Sequence, residues 1–412
     1  MPRYFIQFPN SNDRAEARRM LDVNVENYQP FYPMHNESAQ KLLIAELSDE
    51  ERATAERNGC QVFEDFKFEP VDNKIQPRAL NPYKDAAGTN FTPLVSAPWQ
   101  TKSVVDVMDH IDAPKAWKKA RGKNVTIGIV DSGISSVMPE FPASKLSQHS
   151  KSYVYSSPWN DSIGHGSMCA CAAGATSSSG GKFDGVAPDS MLMSLRTSLY
   201  ATDIYKLYEW VIMTKKADKF PGPVVLSNSY GSYVCSPPNS FPNTHPYYQI
   251  VKEAVRENIP VIFAAGNNHF DELCNHDPTQ CSPNSIWLVN SADEVMSVGT
   301  VNWNNKMDTG KHANSSRGPG QWASAGSSKP DCVAPTYGEI VWGSSYTTME
   351  WWGTSGACPQ VAGLAALILS IDPSLTPSQV YDIIRKSCDS IGLPKNCAGS
   401  GIINCLSAVN AV

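Results

Sequence analysis

Five short apolar runs alternating with helix-spaced stretches most constrain what this chain can fold into. They are VTIGIV (Val125–Val130), MLMSLRT (Met191–Thr197), VVLSNS (Val224–Ser229), VIFAAG (Val261–Gly266) and VMSVGTV (Val295–Val301). Each is nearly continuously apolar, as a strand must be when both its faces are covered. Ala201–Lys216 and Tyr247–Asn258, between them, carry helical spacing. Such alternation predicts an α/β class fold: a doubly wound, mostly parallel sheet with helices on both faces. In open sheets of this kind, ligands sit beyond the carboxyl ends of the strands.

The N-terminal part reads differently. YFIQF (Tyr4–Phe8) and KLLIAEL (Lys41–Leu47) are strand candidates, Ser11–Leu21 is a helix candidate, and Tyr28–Tyr32 is weakly extended. Ser48 and Glu51 form a capping box for a helix that ends at Gly59, and Cys60–Pro70 alternates like a strand. The order β-α-β-β-α-β predicts a small α+β, ferredoxin-like unit over 1–70. Residues 71–102, with scattered Pro, Asn, Gly and Thr, read as a linker, and 103–412 as the large domain.

A chain of 412 residues with net charge -6 has no basic excess for nucleic acid, and no apolar run stands out as a membrane span. MPRYFIQFPNSNDR has no apolar leader core. The 11 cysteines point two ways. Cys274, Cys281, Cys388, Cys397 and Cys405 stand where disulfides form, which favours an extracellular compartment; the missing leader opposes it and favours the cytoplasm. Cys169, Cys171 and Cys358 lie in small-residue helical stretches and read as buried thiols, and no spacing suits a metal site.

Polar residues collect at the predicted strand ends. VTIGIV runs into Asp131, VIFAAG into Asn267, His165 lies between glycines at a helix start, and Ser355 opens the apolar stretch GTSGACPQVAGLAALIL. Taken singly, Asp131 is a turn residue, His165 a structural histidine, Asn267 a left-handed turn residue and Ser355 a helix cap. Taken together they are the set that acyl transfer needs. A serine hydroxyl requires an imidazole to take its proton, a carboxylate to orient that imidazole, and an amide to meet the charge on the attacked oxygen. The order Asp, His, Ser along the chain is one of three in which this triad occurs.

IVDSG, GHGS, GVAP (Gly185–Pro188), NSYGS (Asn228–Ser232), AAGN, SSRGP (Ser315–Pro319) and GTSGACPQVAG follow one another in an order that resembles the subtilisin-like serine proteases, the subtilases. HIDAPKAW (His110–Trp117) resembles the family's opening helix and GIINCLSAVNAV its closing one. The resemblance implies a serine endopeptidase with Ser355 as nucleophile, His165 as base, Asp131 as its orienter and Asn267 as oxyanion donor. It implies that polypeptide substrates are held by Ser229, Tyr230, Gly231, Ala264, Ala265 and Gly266, with a preference for apolar or aromatic side chains. The N-terminal unit resembles the family's inhibitory propeptide, an intramolecular inhibitor cut away by the enzyme itself between Pro70 and Lys102.

The chain departs from the family pattern at Gly356, Cys358 and Gln360 after the serine, and at Met168 after the histidine. Catalysis needs no cofactor. Glu140 falls where relatives have an aspartate calcium ligand, so the resemblance admits a structural calcium ion, although the loop Thr176–Gly185 matches poorly. Two other readings fit the same residues: a peptide ligase or macrocyclase on this scaffold, and a catalytically dead binding module.

Overall fold

The structure, a computed structural model, describes residues 2–8, 42–70, 98–154, 156–231, 242–269, 276–277, 279–281, 284–308, 314–324 and 327–412. The helix expected over 11–21 and the extended segment over 28–32 lie outside the described residues. What remains of the small unit is β1 (Arg3–Gln7), β2 (Leu42–Glu46), α1 (Asp49–Arg57) and β3 (Gln61–Glu64), followed by β4 (Glu69–Pro70). β1 lies between β2 and β3, antiparallel to both. The Ser48–Glu51 capping box opens α1.

The strand expected over 60–70 is two strands. After Glu64 the chain leaves its own sheet: Phe66 and Phe68 hydrogen-bond through their backbones to Ala201 and Leu199, and β4 pairs with a strand of the large domain. Phe68 is wholly buried against that domain, so the apolar alternation in this stretch serves two different surfaces.

The large domain begins with α2 (Val104–His110) and α3 (Ala113–Ala116). The single helix expected over 110–117 is broken at Asp112, which is left-handed (φ 58), ahead of a proline in the first turn of α3. β5 (Thr126–Asp131), β6 (Lys151–Ser152), α4 (His165–Gly174), β7 (Met191–Arg196), α5 (Ala201–Lys216), β8 (Val224–Asn228), β9 (Tyr230–Gly231), α6 (Pro246–Arg256), β10 (Val261–Ala264), β11 (Met296–Val301) and β12 (Cys332–Pro335) follow. A hairpin of β13 (Gly338–Trp342) and β14 (Ser345–Met349) leads into α7 (Gly353–Ile371), α8 (Pro377–Ser387), α9 (Lys395–Ala398) and α10 (Cys405–Asn410).

Seven strands form one parallel sheet in the order β12-β11-β10-β8-β5-β7-β6. The strand order reverses at β5, whose neighbours are β7 and β8, and the crevice beyond their carboxyl ends is where such sheets bind ligands. One apolar layer holds α4 and α7; the other holds α5 and α6 together with Phe5, Leu42, Ile44 and Phe68 of the small unit. α7 is long and apolar enough to cross a membrane, but almost all of it is buried as the domain's core helix. Cys281 is disulfide-bonded to Cys397, while Cys388 and Cys405 carry free thiols. Cys169, Cys171 and Cys358 are buried free thiols, as their surroundings in the sequence predict.

Candidate active site

Asp131 is the last residue of β5, at the carboxyl edge of the sheet, where a fully buried strand delivers it to the crevice. His165 is the first residue of α4. Its Nδ1 lies 2.8 Å and 2.9 Å from the two carboxylate oxygens of Asp131, and Ser132 N donates to one of them at 2.7 Å. A ring nitrogen facing a carboxylate carries its proton, so Nε2 of the neutral ring is the lone-pair nitrogen. Gly164 precedes the histidine with φ +96, and a Cβ there meets the Trp342 indole at 2.5 Å. That glycine lets Trp342 stand edge-on to the imidazole, 6.3 Å between ring centres.

A glycine at the start of α4 has no side chain to cap it. Asp161 does this instead. Its Oδ1 accepts from Gly164 N (2.8 Å), Ile163 N (3.2 Å) and Ser132 Oγ (2.9 Å); its Oδ2 accepts from Ser167 N (2.8 Å) and Ser167 Oγ (2.7 Å). Ser132 Oγ also accepts from Gly166 N at 2.9 Å. The carboxylate thus ties the loop after β5 to the helix that carries His165. Sequence reasoning passed over Asp161; an acidic residue three positions before the helix-opening glycine was the available signal.

Ser355 is not a cap. α7 starts at Gly353, two residues earlier, so the hydroxyl stands within the first turn, whose N–H groups have no acceptor inside the helix. Four residues on, Pro359 has no N–H to give to the Ser355 carbonyl. That carbonyl accepts from Ser229 Oγ at 3.0 Å and from Cys169 Sγ at 3.5 Å. Ser355 Oγ donates to Ser229 O at 3.4 Å. Cys169 Sγ also lies 3.7 Å from Asp131 Oδ2 and 4.0 Å from His165 Nδ1, so aspartate, histidine and serine gather around one thiol. Ligand atoms of Asp131, His165 and Cys169 fall within 4.8 Å of one another. Burial pushes the Cys169 thiol up to about 12, so without a metal it stays a neutral thiol beside the aspartate.

Asn267 Oδ1 accepts from Thr354 N (3.0 Å) and Thr354 Oγ1 (2.9 Å). A backbone N–H can only donate, so the oxygen faces Thr354 and the amide NH2 is turned the other way. Ser229, Tyr230, Ala264 and Ala265 are buried, and the two walls they form are clipped together by Asn290, whose Nδ2 donates to Tyr230 O (2.9 Å) and Ala264 O (2.8 Å). Asn290 was not foreseen; nothing in the run LVNSAD sets it apart. Gly231 carries the outer edge of the first wall. Gly266 bonds through its N–H to Thr354 Oγ1 at 3.2 Å, joining the second wall to the Ser355 turn. β4 of the small unit runs antiparallel along β9, with Glu69 opposite Gly231 and Pro70 opposite Tyr230.

The departures from the family pattern have local reasons. A Cβ at Gly356 comes within 2.6 Å of Trp352 Cβ, so that tryptophan and the glycine go together. Gln360 Nε2 donates to Pro335 O (2.8 Å) and Gly356 O (3.0 Å). Met168 is core, and burial pushes the Cys358 thiol up to about 11, which makes it a packing group. At Glu140, Oε1 accepts from Lys182 N (2.7 Å) and Tyr346 OH (2.8 Å), while Oε2 is buried without a hydrogen-bond partner. Nearby, Asp184 takes both donors of Ser177, and Lys182 Nζ reaches Glu339 at 3.0 Å. One open carboxylate oxygen beside a lysine falls short of the six to eight oxygens calcium takes, so this donor set fits the ion poorly.

Comparison with known proteins matches the chain to a family. The profile described as the subtilase family (Peptidase_S8) matches residues 122–401. Serine protease AprX of Bacillus subtilis is 30% identical over 314 residues, 70% of this chain and 66% of its own length. A calcium-dependent protease of Trichormus variabilis is 28% identical over 68% of this chain and 44% of its own length. The chain therefore spans less than two thirds of the length of either relative. Fervidolysin from Fervidobacterium pennivorans has the same fold, with a TM-score of 0.67 at 16% identity over 99% of this chain and 61% of that one.

Proposed function

The chain belongs to the subtilase family of serine proteases, and from that premise we propose that it is an endopeptidase acting through an acyl-enzyme on Ser355, made as a self-inhibited zymogen. The observation that carries the reading is the meeting of Asp131, His165 and Ser355 around the Cys169 thiol. His165 Nε2 takes the Ser355 proton as Oγ attacks a peptide carbonyl, and Asp131 stabilises the imidazolium. The NH2 of Asn267 and the first-turn N–H of Ser355 receive the charge on the carbonyl oxygen. The proton passes to the leaving amine, and water then opens the ester by the same path in reverse.

Polypeptide is bound as an added strand along Ser229–Gly231, with Ala264–Gly266 as the facing wall. Residues 1–70 act as the inhibitor and 71–102 as the linker to the catalytic part; the pairing of β4 with β9 supports this, because it lays the chain's own segment where substrate lies. Calcium enters no step.

The test is a fluorophosphonate probe on processed protein together with hydrolysis of unfolded casein. Wild type labels at Ser355 and hydrolyses; Ser355→Ala does neither. An unlabelled Ser355 in folded, processed protein removes the protease reading. Asn267→Ala lowers kcat by roughly a hundredfold with KM little changed, the scale that subtilisin itself shows for loss of this donor.

A further inference from the structure

We infer that Trp342 is a positioning residue for His165: β13 is a strut between the turn that carries the nucleophile and the turn that carries the base, and the indole at its end holds the imidazole in line with Ser355. This rests on the protease reading above and deepens it.

β13 is fixed at both ends. At its start, Gly338 O accepts from Trp352 Nε1 at 2.9 Å, and Trp352 is the cap residue of α7, just ahead of the Ser355 turn. Beyond its finish, Gly343 N donates to Gly164 O at 3.3 Å, and Gly164 is the cap residue of α4, next to His165. Glycine on both sides makes this second contact close. Gly164 and Gly343 have φ +96 and +60, the region that favours glycine. A Cβ on Gly164 comes within 2.5 Å of the Trp342 indole, and one on Gly343 within 3.3 Å of Asp161 O. The end of the hairpin therefore rests directly on the backbone of the loop that opens α4. Ser345, opposite Trp342 in the ladder, donates from Oγ to Trp342 O at 3.1 Å and holds the indole's own backbone in place.

The imidazole needs such a stop. The two Asp131 oxygens, at 2.8 Å and 2.9 Å, meet the same ring nitrogen, Nδ1. Bonds that converge on one atom leave the ring able to swing about it, and the wells of a histidine χ2 are broad. A swing carries Nε2 away from Ser355 Oγ, and a displacement of about 1 Å costs on the order of a hundredfold in rate. Packing supplies the restraint. Cys169 Sγ lies 4.0 Å from Nδ1, and the Trp342 ring stands at 90° to the imidazole, 6.3 Å between centres. Trp342 is itself half-buried against the apolar layer of α4 and α7, which keeps the indole where it is. The restraint matters most after the first proton transfer. The imidazolium must then keep its Nδ1–H on Asp131 while Nε2–H is carried to the leaving amine. A strut that spans both turns keeps base and nucleophile in one frame through that step.

The experiment compares processed wild type, Trp342→Ala and Trp342→Phe. It reads kcat and KM on a short chromogenic peptide, the rate of fluorophosphonate labelling, and the far-downfield proton resonance of the His165–Asp131 hydrogen bond. Trp342→Ala lowers kcat and the labelling rate together by about tenfold or more, with KM within about twofold, and broadens the downfield proton. Trp342→Phe, which returns a flat ring, recovers both rates to within about threefold of wild type. Trp342→Leu fills the space without a flat ring and takes the place of the alanine variant if that one unfolds. Unchanged rates in a folded variant overturn the proposal, and so does a change in KM alone. Slower peptide turnover with unchanged labelling also overturns it, because Trp342 is then a substrate contact. A phenylalanine variant as slow as alanine, with the downfield proton intact, reduces Trp342 to general packing and overturns it too. In each of these cases wild type still labels and hydrolyses, so the protease reading stands; wild type that does neither removes both.

Discussion

Among the described helices that begin at residues which do not cap them, α4 and α5 are completed in opposite ways. α4, which carries His165, has Gly164 at its cap; α5 has Tyr200, whose side chain makes no cap bond. Asp161 completes α4 from three residues upstream. Asp65 completes α5 from the small unit: Thr202 N donates to it at 3.1 Å and Thr202 Oγ1 at 2.7 Å, across 137 residues of chain, and Arg3 joins them through Asp203. The same device is permanent in one place and, on the zymogen proposal, removable in the other. The site helix is finished by its own loop, whereas α5 is finished only while the inhibitor-like unit is in place.

The largest expected effect lies at the permanent cap. Asp161→Ala leaves five donors without their acceptor at a buried position, and the expected loss is about 4 kcal/mol of stability. Activity falls by about a hundredfold or more in whatever fraction stays folded, because the His165 helix loses its anchor. Thermal unfolding and casein hydrolysis measure the two; a variant that melts and turns over like wild type breaks the comparison at its stronger end.

How much of this was legible in the sequence follows from the same contrast. The parallel sheet was, because consecutive apolar residues leave few other choices, and so were the α1 capping box and the positions of Asp131, His165, Asn267 and Ser355 at loop edges. Asp161 and Asn290 were not, because each acts through a single carboxylate or amide whose partners come from separate elements. The split of Cys60–Pro70 was hidden for a related reason: Phe66 and Phe68 alternate as a strand would, but the surface they bury against belongs to another part of the chain. The break before Pro114 was readable from the proline, and the helical reading of His110–Trp117 passed over it.

The next effect is on pH. His245 caps α6, with Nδ1 accepting from Tyr247 N at 3.2 Å, and the small unit covers it with Phe5, Phe63 and Phe66 at 5.2–5.5 Å between ring centres. Burial pulls its imidazole down to about 3. Uncovered, an imidazole takes a proton near 6.5. The covered form is therefore held fully above about pH 6.5, and the hold is lost as pH falls from there toward 3, since only the uncovered form gains the proton. Release of the small unit after processing rises by up to about tenfold per pH unit over that span, and His245→Gln flattens the profile. Gel filtration of processed protein at stepped pH reads it directly. Asp65→Ala comes below this: loss of one cap amounts to about 1 kcal/mol, or about fivefold more released unit at fixed pH, with casein turnover by the released enzyme unchanged.

The smallest effect is the most discriminating. Tyr200 has the extended backbone of a cap residue, φ -71 and ψ 140, and a side chain that serves Arg3 and Lys67 of the small unit instead. Tyr200→Ser gives α5 a cap of its own. Processed enzyme freed of the small unit gains roughly 0.5–1 kcal/mol, seen as a slightly higher Tm, because its α5 no longer opens with bare N–H groups. In the intact zymogen the new hydroxyl competes with Asp65 for the same donors, so the gain there is close to nothing, and adding Asp65→Ala then costs less than it does beside Tyr200. Equal gains in both forms mean that Asp65 was never completing this helix, and the contrast with Asp161 fails.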